Sequence, residues 1–120
     1  MINRAMAVAK ITELGGVKAF DAVLCVTDHH AKVVISALRL LGAKIGGSGG
    51  ILVAGYDNIV PDIAYAPFEA DDAVVSIDKH NESTAVMMAD LMLERMSGKL
   101  GAAPECRVNP SELIIREEKK

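Results

Sequence analysis

Aromatic side chains are scarce in this sequence: two Tyr, two Phe and no Trp, 3% of the residues. A surface that stacks bases or sugar rings needs a series of such rings, so the composition argues against a base-stacking surface and a lectin-type sugar platform. Excess charge is missing as well. Thirteen basic residues against sixteen acidic ones leave a net charge of −3, which offers no general attraction for a polyphosphate. The two cysteines, Cys25 and Cys106, have neither C-x-x-C nor zinc-ligand spacing. Cys25 lies in an apolar stretch and reads as a buried free thiol, a usage that fits a reducing cytoplasm. No apolar run reaches the roughly 20 residues that span a bilayer, and the N-terminus lacks the continuous apolar core of a signal peptide. The chain is therefore expected to be cytoplasmic, with no membrane partner. Repeats and low-complexity segments are absent too.

What is present is enough apolar material for one folded domain: 51% of 120 residues are hydrophobic, well above a disordered composition. Residues 3–15 predict a helix with Ala7, Ile11 and Leu14 on one face and Gly15-Gly16 as its stop. Residues 22–26 (AVLCV) form a continuous apolar run, the pattern of a parallel strand covered on both faces. Thr27 or Asp28 then caps a second helix whose stripe is Ala31, Val34, Ile35, Leu38 and Leu41. Glycines 46, 47, 49 and 50 turn the chain back into a second strand, 51–55. This loop follows a helix and precedes a strand, the reverse of the order a phosphate-binding loop requires. Residues 59–72, with Pro61 and Pro67, read as loop, and 73–77 (AVVSI) as a third strand. A third helix has the stripe Ala85, Met88, Ala89, Met92 and Met96, at a spacing that predicts core, and ends at Gly98. Residues 107–116 read as an extended segment that Pro110 confines to a sheet edge or splits, and 117–120 as a charged tail. The alternation predicts an α/β fold, an open, mostly parallel sheet flanked by helices.

In such sheets ligands bind at the carboxyl ends of the strands. Two polar tips fall there: Thr27-Asp28 after the first strand, and Tyr56-Asp57-Asn58 after the second. A carboxylate at Asp57 can accept hydrogen bonds from vicinal hydroxyls or ligand N–H groups; Asp-Asn is equally good turn chemistry. Asp28 reads as an N-cap before it reads as a ligand contact, and Thr27 offers one hydroxyl. His29 and His30 are adjacent on a helix and point about 100° apart, which does not make a chelating pair. His80 has no partner nearby in sequence. No metal site and no cofactor are predicted, and no Ser–His–Asp or Cys–His arrangement is supported by local spacing.

Residues 20–45 (FDAVLCVTDHHAKVVISALRLLGAKI) followed by 50–59 (GILVAGYDNI) resemble the effector-binding domain of LacI-type transcriptional regulators. That family pairs an A-N-D-x-x-A-x-G-A-L-x-x-L-x-x-x-G segment with a V-x-G-Y/F-D-D/N strand end. Tyr65-Ala66-Pro67 resembles the family's approach to a crossing strand, and Val75-Ser76-Ile77 stands where Thr-Thr-Val is usual. Residues 85–98 are similar to the A-x-x-L-L helix that follows, and residues 110–117 (PSELIIRE) to the closing P-x-E-L-x-x-R-E. The ordered set covers nearly the whole chain. At Thr27 a hydroxyl replaces the amide of the usual asparagine, glycines 46–50 replace a V-P-x-D connection, and 68–72 look like an insertion.

The resemblance implies a type I periplasmic-binding-protein-like lobe, with residues 1–78 as the βαβ core of the second lobe, 79–98 as a crossing helix and 99–120 as a C-terminal extended segment. It implies a binding module and not an enzyme, taking a sugar- or purine-like effector through Asp57 and Thr27, with Asp28 beside them. DNA would be reached only through a helix-turn-helix absent from this chain. Without the lobe that residues after 78 cross to, apolar surface must be buried by self-association, so a homodimer is expected. A receiver-like phosphorylation domain, or a small α/β enzyme using Asp57 at the same edge, are the alternatives.

Overall fold

The computed structural model describes residues 3–59 and 73–116, which form a mixed α/β structure. In chain order the elements are α1 (Arg4–Glu13), a 3-10 turn (Val17–Ala19), β1 (Ala22–Leu24), α2 (Asp28–Leu40), β2 (Leu52–Ala54), β3 (Val75–Asp78), α3 (Asn81–Met96) and β4 (Glu112–Ile115). The four strands lie side by side in the order β1-β2-β3-β4. β1 runs parallel to β2 and β2 to β3, while β4 pairs antiparallel with β3 at the edge. The mostly parallel sheet is as expected, and β4 starts just beyond Pro110, where a missing N–H costs no ladder bond. The readings placed on Pro61, Tyr65-Ala66-Pro67, the insertion at 68–72 and the tail at 117–120 lie outside the described residues. None of the described helices is long and apolar enough to cross a membrane.

Local chemistry sets the helix starts. Asn3 caps α1 by accepting the Met6 N–H at 3.0 Å, and Thr27 Oγ1 caps α2 by accepting the His30 N–H at 3.2 Å. Of the two candidate caps before α2, Thr27 takes the role, and Asp28 becomes the first helical residue. α1 packs on α2, and α2 on β2. Their apolar faces meet in one core of Ala7, Ile11, Ala31, Val33, Ile35, Leu38, Ile51 and Val53. Ile35, Leu38 and Val53 are fully buried, each contributing roughly 2 kcal/mol of transfer free energy. Leu14, expected on the buried face of α1, instead forms its C-cap and is exposed.

Strand register divides the sheet into two faces. Ala22 pairs with Leu52, Leu24 with Ala54, Ala54 with Val75, Val75 with Ile115 and Ile77 with Leu113. Paired residues share a face and alternate along each strand, so one face carries Ala22, Leu24, Val26, Leu52, Ala54, Val75, Ile77, Leu113 and Ile115. The opposite face carries Val23, Cys25, Ile51, Val53, Gly55 and Ser76, and this is the face that α1 and α2 cover. Both faces are apolar, as in a parallel sheet covered twice. Among the described residues, however, only one is covered: Leu24 is 82% exposed, Val26 78% and Ile115 67%. Among the described residues, the expectation of two covered faces is met on one face only.

α3 departs from expectation in the same way. None of its sixteen residues is buried, and Met88, Met92 and Met96 stand exposed where helical spacing predicted core. The helix projects from the β3–β4 edge, and the molecule measures 60 × 29 × 25 Å with a radius of gyration of 19.0 Å. A compact domain of this length has about 14 Å.

Candidate functional site

The carboxyl ends of β1, β2 and β3 converge as the parallel topology requires. The Asp28 N–H donates to the Tyr56 carbonyl at 2.8 Å, which locks the first polar tip against the second. The Asp57 N–H donates to the Ile77 carbonyl at 2.9 Å and ties the second tip to β3. Thr27, Asp28, Asp57 and the end of β3 are thus neighbours, as the sequence reading required of a common edge.

Asp28 turns inward. It is 1% exposed, and Ser76 Oγ lies 2.8 and 2.9 Å from its two carboxylate oxygens, sharing one proton between them. The Arg116 guanidinium stands 3.9 Å away and balances the buried charge. Arg116 also donates to the Ala73 carbonyl at 2.7 Å and to Asn58 Oδ1 at 2.5 Å. Asn58 returns an N–H to Ser76 Oγ at 3.2 Å and its amide to Asp78 at 2.9 Å. A buried carboxylate is tolerable only with such partners. The glycine of the Gly-Tyr-Asp-Asn tip also has its reason here: a Cβ on Gly55 would collide with the Asp28 carboxylate.

Asp57 is held differently. It adopts φ 95°, and Asn58 follows at φ 50°, two successive left-handed residues that only a well-anchored segment sustains. The Asp57 side chain is 19% exposed and pairs with Lys79 Nζ at 2.5 Å. Oδ1 has no hydrogen-bond partner of good geometry, so the ammonium meets it as a charge. Asp57 in turn raises the Lys79 pKa above the ordinary lysine value. Lys79 also lies 5.2 Å from the centroid of the Tyr56 ring, a cation–π contact. Beside this pair, between α3 and the returning segment 107–111, is a cavity of about 320 Å³. Tyr56, Lys79, Thr84, Met88, Arg107 and Asn109 are among its lining residues, and it is of small-molecule size.

Of the predicted site residues, Asp57 therefore sits half-buried at the edge with a cation beside it, Thr27 spends its hydroxyl on the α2 cap, and Asp28 faces the interior. Ser76, Lys79 and Arg116 complete the arrangement and were not among the predicted site residues, while Asn58, read as part of the second polar tip, joins them. The signal for Ser76 was one hydroxyl in an otherwise apolar strand; its partner is 48 residues away, beyond any local pattern. His80, read as lacking a partner, is corrected. Its N–H donates to Asp78 Oδ1 at 2.7 Å, and its ring lies 3.7 Å from Asp78 and 3.6 Å from Glu112. Hydrogen bonds from the Asn58 amide and the His80 N–H lower the Asp78 pKa. Among the described residues no group of three or more His, Cys, Asp or Glu side chains is placed to hold a metal ion.

Fold and edge together define a mixed α/β protein with a four-stranded, mostly parallel sheet whose carboxyl edge gathers buried and exposed charges. No protein-family model, curated protein or solved structure matches the chain.

Proposed function

We propose that this chain is the small-molecule effector-binding and dimerisation part of a LacI-type transcriptional regulator, corresponding to a type I periplasmic-binding-protein-like lobe. The observation that supports it most is the path after β3. The chain leaves the sheet at Asp78, runs through a helix with no buried residue, and returns as β4 antiparallel to β3. In the family it resembles, that stretch crosses to the first lobe and comes back, so its helix finds its packing partners there. Asp57 and Thr27 lie at the edge where such a cleft would open, and DNA contact belongs to a helix-turn-helix outside these residues.

In this reading the effector is sugar- or purine-like and offers hydroxyl or N–H groups to Asp57, displacing or sharing the Lys79 ammonium. The test is titration of the isolated chain, followed by amide NMR shifts, with a panel of pentoses, hexoses and purine bases. At least one is expected to shift the resonances of 55–58 and 79, and Asp57→Asn to weaken that response tenfold or more. A panel that leaves those resonances unmoved at millimolar ligand overturns the reading. In the same reading the isolated chain gives no sequence-specific shift of operator DNA.

The Asp57–Lys79 pair favours a second reading, a receiver-like domain with a phosphorylatable aspartate beside a lysine from a neighbouring strand end. The acidic pair such a site needs is not assembled, because Asp28 is committed to Ser76. Acetyl-phosphate labelling of Asp57 would favour it, and turnover lost in Asp57→Asn would favour a small enzyme.

A further inference from the structure

The chain carries two incomplete surfaces of complementary shape. One is the bare sheet face, Leu24, Val26, Leu52, Leu113 and Ile115 at its most exposed points. The other is the stripe of α3, on which Met88, Met92 and Met96 are 67%, 64% and 72% exposed. Four strands span about 14 Å across the sheet, and the stripe from Ala85 to Met96 runs about 17 Å along the helix. Among the described residues, a sheet face without a covering helix and a helix without a sheet to cover occur together.

α3 cannot swing back onto its own sheet without breaking the contacts that fix it. Only Lys79 and His80 separate it from β3, and His80 is left-handed at φ 52°. Asn109 Nδ2, on the segment leading into β4, donates to the His80 carbonyl at 3.3 Å, Ser83 Oγ at 2.9 Å and Thr84 Oγ1 at 2.7 Å. Arg107 pairs with Glu94 at 2.5 Å, and Arg95 holds the Ala103 carbonyl at 3.1 Å. These bonds make α3 and the returning segment one arm, aimed away from the body.

We propose that two copies of this chain form a two-fold dimer in which the α3 arm of each lies across the bare β1–β4 sheet face of the other. A two-fold exchange satisfies both surfaces of both copies and closes, leaving nothing to propagate. Each side chain named offers on the order of 60 Å² of apolar area, and the two copies together remove roughly 1,000 Å² from water, about the threshold for a specific interface. The proposal rests on the preceding reading for the expectation that the chain self-associates, and assigns to a second copy of this chain the packing that the first lobe gives this helix in the family it resembles.

The test uses the full chain with Cys106→Ser, since Cys106 is exposed and Cys25 buried. One preparation carries Leu24→Cys, the other Met92→Cys with nitrogen-15 labelling, and the mixture is joined with a short bismaleimide. Mass spectrometry is expected to find the mixed product at least tenfold above either like-with-like product. Light scattering of the unmodified chain should give twice 12.7 kDa, and Met92→Lys or Leu24→Asp should each halve it without changing the far-ultraviolet circular dichroism. Met92 lies outside the core, so its substitution tests association without threatening the fold. A monomer at micromolar concentration, or like-with-like products in the majority, overturns the exchange. A dimer joined through another surface leaves the regulator reading standing, whereas the proposed dimer without effector binding sinks only that reading.

Discussion

α2 and α3 are both helices of ordinary length, α2 with the stronger apolar stripe, and they end in opposite situations. α2 buries Ala31, Val33, Ile35, Ala37 and Leu38, while α3 buries nothing. Among the described residues, every buried hydrophobic residue except Ala73 falls at or before Val53. The weaker apolar stripe of α3 is one part of the difference, and access to a sheet is the other. α2 connects two adjacent parallel strands, and that crossover lays it back on the sheet by construction. α3 connects two antiparallel strands, a connection that imposes no such return, and its first turn is pinned outward by Asn109.

The contrast breaks most sharply at a fully buried leucine. Leu38→Ala in α2 is expected to lose about 2–5 kcal/mol of unfolding free energy, because the removed methyls leave a cavity among Ile35 and Val53. Met92→Ala in α3 should stay within about 0.5 kcal/mol in the dissociated chain, its effect appearing in self-association. Urea denaturation at low protein concentration measures both; equal losses would mean that α3 has a core the structure does not give it. Amide exchange sharpens the same point, since α2 amides should open only with global unfolding and α3 amides well below it.

Next in size is the polar knot beneath the edge. Ser76→Ala removes the hydroxyl that donates to the Asp28 carboxylate and leaves the buried charge with the Arg116 guanidinium at 3.9 Å but without that hydrogen bond, at an expected cost of about 1–3 kcal/mol. Adding Asp28→Ala should cost less than the sum of the two single substitutions, since the pair acts as one unit. Strict additivity by denaturant midpoint would refute the coupling.

The sequence disclosed the fold further than it disclosed the site. The βαβ unit from residues 22 to 54 was legible because two apolar runs flank a 3.6-residue pattern, and Thr27 carries its cap chemistry locally. The edge was legible as a place, since strand ends must gather there. Its wiring was not. Ser76 reaches Asp28 across 48 residues and Arg116 reaches Asn58 across 58, and nothing in local spacing announces either. The third helix misled for a related reason: periodicity states which side of a helix is apolar, never whether a partner stands opposite. Likewise AVLCV reads as doubly covered because both faces are apolar, which they are; coverage is a property of the assembly.

The two thiols set the smallest test, one in each region. Burial first, and then the Asp28 carboxylate, push the Cys25 pKa from the ordinary 9.0 up to about 11, while Cys106 is exposed on the arm. A raised folded value means the native state keeps a proton that the unfolded chain has released. The resulting stability is fully present below about pH 9 and is lost as pH rises towards 11, with a slope of at most about 1.4 kcal/mol per pH unit. Denaturation series at pH 8, 9 and 10 should show this slope, and Cys25→Ala should flatten it while Cys106→Ser leaves it unchanged. In the native protein, a thiol-reactive dye should label Cys106 at once and Cys25 only as fast as the body opens, because the thiolate that reacts is the form the core disfavours. If both thiols react at one rate, the body is no better closed than the arm, and the division between them disappears.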